Sequence, residues 1–344
     1  MSAWRGFASD NYAGVHPEVL AAIAAANVGH EPAYGDDSVT ADLGVRVREL
    51  FGATAQVFPV FNGTGANVAA LQAMCRPWEA VICAQSAHVH VDEGGAPEKV
   101  AGLKLWTVPT ADGKLTPDLI DAQAWGFGDV HRAQPRVVTI TQSTELGTLY
   151  TVEEITAIVA RAHQHGLLVH LDGARICNAA AALGVPFRAF TTDVGVDAVS
   201  FGATKNGALG AEAVITLTPA MAEAVPFVRK SAMQLASKMR FISAQLLALL
   251  SDDLWLRNAA HANAMAARLA AAVGMIPGVQ VVRPAQANAV FAVLPRDVTE
   301  RLQQRFRFYT WDQATGEVRW MCSWDTTDAD VDAFAAAIAE EMAR

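Results

Sequence analysis

The chain has 344 residues, with 26 Lys plus Arg against 35 Asp plus Glu and a formal net charge of −9. That sign argues against nucleic acid or an anionic membrane as a partner, because either calls for a clustered excess of cations. With 52% hydrophobic and 18% charged residues the chain can bury a sizeable core, and at roughly 100 to 200 residues per domain its length predicts two domains.

The four cysteines, Cys75, Cys83, Cys177 and Cys322, form no CxxC pair and have no histidine beside them at metal-ligand spacing. Neither a disulfide framework nor a metal site is expected. The first ten residues carry one Arg and no apolar run, unlike a leader peptide. The longest apolar runs, at 20–26 and 246–250, fall far short of the ~20 residues a bilayer span needs. A cytoplasmic location is the expectation.

Between residues 50 and 217 short β-branched runs alternate with longer helical ones, which predicts a parallel α/β sheet. Strands are expected at 56–61, 80–84, 104–108, 136–141, 167–171 and 198–202. A helix at 66–74 follows the first strand, and an amphipathic helix at 153–165 ends at Gly166. The unit 136–172 is thus strand, helix, strand, a crossover of right-handed sense. It sets Gln142 and Asp172 at one sheet edge, where ligands of open α/β folds bind. Past residue 250 come a helix at 255–273, the break Ile276-Pro277-Gly278, strands separated by Pro284 and Pro295, and a closing helix at 328–342. The expected division is a large domain of residues 1–250, including the N-terminal segment, and a small α/β domain of residues 251–344. In the small domain Phe306, Phe308, Trp311 and Trp320 alternate as strand core would.

Three motifs carry chemistry. Asn62-Gly63-Thr64-Gly65-Ala66-Asn67 joins a strand to a helix, where first-turn N–H groups and the Thr64 hydroxyl suit a phosphate dianion. Read alone it is equally an ordinary turn. His170-Leu171-Asp172-Gly173-Ala174-Arg175 sets a carboxylate where an apolar strand runs out, a costly place unless a cation or ring N–H faces it. An N-cap is the plainer reading. In Ser200-Phe201-Gly202-Ala203-Thr204-Lys205-Asn206-Gly207 a lysine sits among small residues, where desolvation frees its amine for imine chemistry. Phosphate cradle, strand-end aspartate and strand-end lysine, the last two about 30 residues apart, match what pyridoxal phosphate requires.

From these residues the chain resembles the fold-type I pyridoxal-phosphate enzymes, and among them the low-specificity L-threonine aldolases of the threonine aldolase and beta-eliminating lyase group. Further matching segments are Phe7-Ala8-Ser9-Asp10-Asn11-Tyr12, Ala33-Tyr34-Gly35-Asp36-Asp37, Ala87-His88, Glu93-Gly94-Gly95-Ala96-Pro97-Glu98 and Met321-Cys322-Ser323-Trp324-Asp325. The resemblance implies a mainly parallel central sheet with flanking helices plus a smaller C-terminal domain. It implies Lys205 as the Schiff-base lysine, Asp172 as partner of the pyridine nitrogen, Gly63 and Thr64 as phosphate ligands, and His88 as the imidazole stacked on the cofactor ring. Ser9, Arg175 and Arg319 would hold the substrate carboxylate, and Tyr34 would line the aldehyde side. Arg240 would reach the phosphate of a neighbouring subunit, implying a homo-oligomer, with a dimer of dimers as the usual form.

The chain departs from one common version of that pattern: Glu145 stands where many members carry a histidine. His88 is therefore the first choice for the base at the substrate's β-hydroxyl, and Glu145 the second. His90, His163, His165 and His170 are expected to be structural or surface groups. The activity implied is retro-aldol cleavage of L-threonine, L-allo-threonine and related L-β-hydroxy-α-amino acids to glycine and an aldehyde. A β-eliminating lyase, an aminotransferase and a phenylserine-preferring aldolase are the alternatives on the same scaffold.

Overall fold

Short apolar runs without room for a polar face form the central sheet, because a strand covered by helices on both sides must be apolar on both. A computed structural model describes residues 5–344; of the N-terminal stretch in which no leader is expected, residues 1–4 lie outside the described residues. Seven strands, β1 (Gln56–Val60), β2 (Glu79–Ala84), β3 (Lys104–Val108), β4 (Gln134–Thr141), β5 (Leu168–Gly173), β6 (Ala198–Gly202) and β7 (Glu212–Thr216), align in the order β1-β7-β6-β5-β4-β2-β3. From β6 through β3 all neighbours are parallel, whereas β7 runs against both β6 and β1.

Strand β7 escaped the sequence reading, although Glu212-Ala213-Val214-Ile215-Thr216 has the β-branched composition of a strand. Its direction follows from its connection. Residues 203–211 contain only one 3-10 turn, too little chain for the crossover that a parallel return requires. The helix after β1 is Gly63–Met74, starting three residues before the expected 66, because Asn62 caps it by accepting the Gly65 N–H at 2.7 Å. The expected helix at 153–165 is Val152–Gln164, opened by a capping box between Thr151 and Glu154.

A second sheet has the order β10-β11-β9-β8, formed by β8 (Gln280–Val281), β9 (Ala289–Val293), β10 (Tyr309–Asp312) and β11 (Glu317–Met321), all antiparallel. Its core holds Phe308, Val318, Trp320 and Phe334. Trp311 does not join that core. It faces the other side of the sheet against Phe291 and Arg319, which breaks the expected aromatic alternation.

The helix Leu254–Gly274 serves both cores, with Leu254, Trp255 and Ala259 in the larger and Met265, Leu269 and Val273 in the smaller. Phe7 also belongs to the smaller core, stacked on Phe334 at 4.3 Å, though the N-terminal segment was expected with the large domain. Met321 donates its N–H to the Phe7 carbonyl at 2.8 Å, so the segment adds itself along β11. Among the described residues no helix is long and apolar enough to cross a membrane, and no three His, Cys, Asp or Glu side chains are grouped to hold a metal.

The C-terminal ends of β5 and β6 approach so closely that glycine is required. A Cβ on Gly202 would lie 2.5 Å from the Ala174 carbonyl oxygen and 2.7 Å from its Cα, both backbone atoms that cannot swing aside. Gly202→Ala is therefore expected to destabilise the fold by about 1–3 kcal/mol, read as a lower urea-unfolding midpoint at unchanged m-value.

Candidate active site

The strand ends decide which side chains meet. In β4, β5 and β6, Thr141 pairs with Asp172 and Asp172 with Ser200, so the sequence-predicted aspartate stands at the centre of the sheet edge. Two residues earlier, on the same face of β5, lies His170. Its ring nitrogens meet the hydroxyls of Thr139 at 2.8 Å and Ser200 at 2.9 Å. Burial pushes the His170 ring down to about 4, so it is a neutral spacer beneath Asp172. His163 and His165 pair with Asp197 and Asp121 away from this edge, and His90 is exposed.

Asp172 is held by two donors: the Ala174 N–H at 3.0 Å and the Asn67 carboxamide at 2.8 Å. The same Asn67 nitrogen donates to Glu93 at 2.8 Å, and that Glu93 oxygen meets His88 Nδ1 at 2.9 Å. The result is an unbroken buried path from Asp172 through Asn67 and Glu93 to His88. In the sequence Asn67 and Glu93 stand only within matching segments, with no task of their own. Their spacing from Asp172 along the chain offers no local signal. The Glu93 hydrogen bond raises the His88 pKa against the opposing effect of burial, while burial raises that of Glu93.

Lys205 lies in the 3-10 turn after β6 and shares one cleft with Gly63, Thr64, His88, Asp172 and Glu212. Burial lowers its amine pKa, and the charge of Arg175 lowers it further. Glu145 lines neither part of this cleft. One of its oxygens accepts the His88 backbone N–H at 2.8 Å, the other is buried without a hydrogen-bond partner, and burial pushes its carboxyl up to about 7.

Arg175 and Arg319 do come together, and each is already partly engaged. Asp10 takes Arg175 Nε at 2.7 Å and Nη2 at 3.0 Å, a bidentate fork that leaves Nη1. Burial works to raise the Asp10 carboxyl, but the guanidinium outweighs it and holds Asp10 below the usual carboxylate range. Arg319 donates to the Ala8 carbonyl at 3.3 Å and lies 4.5 Å from the Trp311 ring. Burial, with the like charge of Arg175, brings Arg319 down to about 10, and its Nε is buried without a partner. Two neighbouring guanidiniums, of which only Arg175 is paired with Asp10, make a site that favours an anion.

Ser9 caps the 3-10 turn Asp10–Tyr12 by accepting the Asn11 N–H at 3.1 Å. Tyr34 and Arg240 stay outside the cleft of their own chain. Tyr34 is exposed with its N–H on the Ser237 carbonyl, and Arg240 donates to the Val28 carbonyl at 3.1 Å beside His30 and Lys238. Gln234 is a further residue that sequence reasoning missed. It covers the cradle, accepts the Phe61 N–H at 3.0 Å, and would lie 2.3 Å from any Cβ on Gly65.

A sheet whose parallel strand ends deliver an aspartate and a lysine to a helix N-terminus defines an α/β enzyme of the fold-type I pyridoxal-phosphate class. Comparison with known proteins narrows this. The model of the beta-eliminating lyase family matches residues 6–296, and the chain belongs to that family. It is 47% identical over 338 residues to a low specificity L-threonine aldolase of a Pseudomonas species, covering 98% of this chain and 97% of that one. It is 48% identical to the corresponding protein of Pseudomonas aeruginosa, covering 93% of each. A solved threonine aldolase structure from Leishmania major matches with a TM-score of 0.93 at 31% identity, over 98% of this chain and 99% of that one.

The Glu93 bond makes a test of the buried path. Glu93→Gln removes the carboxylate that favours the imidazolium, so the His88 pKa is expected to fall, with its tautomer balance shifted, in histidine-resolved NMR titration of the protein. An unmoved His88 titration would show that the contact carries no charge coupling.

Proposed function

We propose that this chain cleaves L-threonine, L-allo-threonine and related L-β-hydroxy-α-amino acids to glycine and an aldehyde, with pyridoxal 5'-phosphate as cofactor. The observation that carries this is the convergence of Lys205, Asp172 and His88 in one cleft beside the paired guanidiniums of Arg175 and Arg319. Likeness to threonine aldolases over nearly the full chain supports the same reading.

The residues present fit the cofactor. Asn67 Oδ1 and Glu93 Oε2, on residues that line the cleft, are buried polar atoms without partners, ready for polar groups of a ligand. Lys205 would hold the cofactor through its amine, Asp172 through the ring nitrogen, Gly63 and Thr64 through the phosphate, and His88 through the ring face. Asn62 uses the Gly65 N–H, which leaves those of Gly63 and Thr64 for the phosphate. When bound, pyridoxal phosphate supplies an electron sink for the charge left at Cα when the Cα–Cβ bond breaks.

The chain's own groups do the rest. Arg175, through Nη1, and Arg319 fix the substrate carboxylate, with Ser9 close by in sequence to Asp10, so the amino acid enters in one orientation. Glu93 as a carboxylate fixes the proton of neutral His88 on Nδ1, leaving Nε2 with its lone pair. His88 Nε2 accepts the β-hydroxyl proton, and the raised pKa of the ring strengthens it as a base. Glu145 is the second candidate, held back by its place outside the cleft lining.

We also place the protein in the cytoplasm as a homo-oligomer. The four free cysteines suit a reducing compartment. Arg240, which does not reach its own cleft, together with the exposed Tyr34, Phe227 and Met233, supports a neighbouring chain covering this side.

Purified protein with pyridoxal phosphate and L-threonine is expected to release acetaldehyde, followed through a nicotinamide-dependent reductase; no aldehyde from L-threonine would reject the reading. Pyruvate from serine in its place would select the β-eliminating alternative. His88→Ala should lower kcat/KM by about 10²- to 10⁴-fold. A larger loss in Glu145→Gln than in His88→Ala would move the base to Glu145.

A further inference from the structure

Glu212 is a buried carboxylate at the cleft for which the proposed chemistry has no use. It opens β7 and pairs across the ladder with Gly202. Its Oε2 accepts the Ala203 N–H at 3.0 Å and its Oε1 the Thr204 N–H at 3.3 Å, the two residues that lead into Lys205. Thr204 Oγ1 accepts the Ala211 N–H at 3.2 Å, which ties the far end of the loop to the same turn. The glutamate lines both parts of the cleft, next to Asp172 and Ser200 in one and to Asn62, Gly63 and Thr64 in the other.

Backbone N–H groups are satisfied as well by a neutral acceptor, and a carboxylate with 7% of its residue surface exposed loses much of its hydration. A charge at this place therefore calls for an electrostatic partner. The charge that acts on it across the cleft is Lys205: each of the two groups favours the charged form of the other, against burial in both cases. The other charges that act on the Lys205 amine are Asp10 of the N-terminal segment, Asp172 at the end of β5 and Arg175 just past it, and His88 feels the lysine from across the cleft. Cys177, buried and held as a thiol, is near Glu212 from the helix Ile176–Leu183.

We infer that Glu212 is a positioning residue for Lys205: it ties down the turn that presents the amine and keeps a negative charge beside it. The inference rests on the reading of Lys205 as the lysine that holds the cofactor. Burial pushes the Glu212 carboxyl up to about 7, so this charge is present above neutrality and is lost as pH falls below it.

The test is the visible absorbance of the protein loaded with pyridoxal phosphate, titrated with pH in wild type, Glu212→Gln and Glu212→Asp, together with cofactor affinity by fluorescence. Without the negative charge the protonated nitrogen of Lys205 is less favoured, so the E212Q midpoint should drop by about one pH unit, a tenfold change in acidity. Its cofactor dissociation constant should rise. E212D keeps the charge on a shorter arm, so its midpoint should stay near that of wild type while cofactor uptake slows. A wild-type midpoint in E212Q overturns the inference, and so does an E212D midpoint displaced as far as one unit, the reading that remains available if E212Q does not fold. Absence of a visible band from loaded wild type is a separate result, which rejects the cofactor reading itself.

Discussion

The Asn67 carboxamide nitrogen bonds two buried carboxylates at once, Asp172 and Glu93, each at 2.8 Å. Buried acids repel each other and resist ionisation unless donors are shared between them. That single nitrogen fixes where Asp172 can aim, and it passes the constraint through Glu93 to the ring of His88. The helix Gly63–Met74 thus has two tasks. Its first turn faces the cleft with backbone N–H groups, and its second turn supplies the carboxamide that aligns the acids.

A comparable economy governs the basic side. The N-terminal segment connects the two sheets within four residues: Phe7 packs in the smaller core, the Ala8 carbonyl accepts from Arg319, and Asp10 grips Arg175. Asn288, next to β9, donates to Asp10 at 3.0 Å and to the Cys322 carbonyl at 2.8 Å. The pair of guanidiniums is therefore set by contacts from both sheets, and a shift of one sheet against the other would change their separation. Asp10 compensates one of the two positive charges, which leaves the site cationic without leaving two bare guanidiniums in a buried place.

Acid residues outnumber what a simple anion site would need. Burial raises Glu93, Glu145 and Glu212 in common, the last two to about 7. The protons of Glu145 and Glu212 are thus exchangeable near neutrality, and the three acids sit at different places: Glu93 at the His88 ring, Glu145 at the His88 backbone and Glu212 at the Lys205 turn. An environment of this kind can keep its net charge nearly constant when an anionic ligand enters, because a proton can be taken up in place of a counter-ion.

What the amino-acid order determined by itself is everything written in local pattern. Strands β1 to β6, the helices Gly63–Met74 and Val152–Gln164, the strand-to-helix turn at Asn62-Gly63-Thr64 and the strand-end places of Asp172 and Lys205 follow from hydrophobic period and breaker residues, which act over a few positions. What the tertiary structure alone decided depends on contacts between distant segments. Asn67 meets Glu93 across 26 positions and Asp172 across 105, and Asp10 meets Arg175 across 165. Glu212 looks like an ordinary polar strand start until the antiparallel return of β7 lays it against the Lys205 turn. The reason is physical: periodicity records which face of a segment is buried, whereas the partner of a buried charge is chosen by where the chain brings the opposite end of the fold.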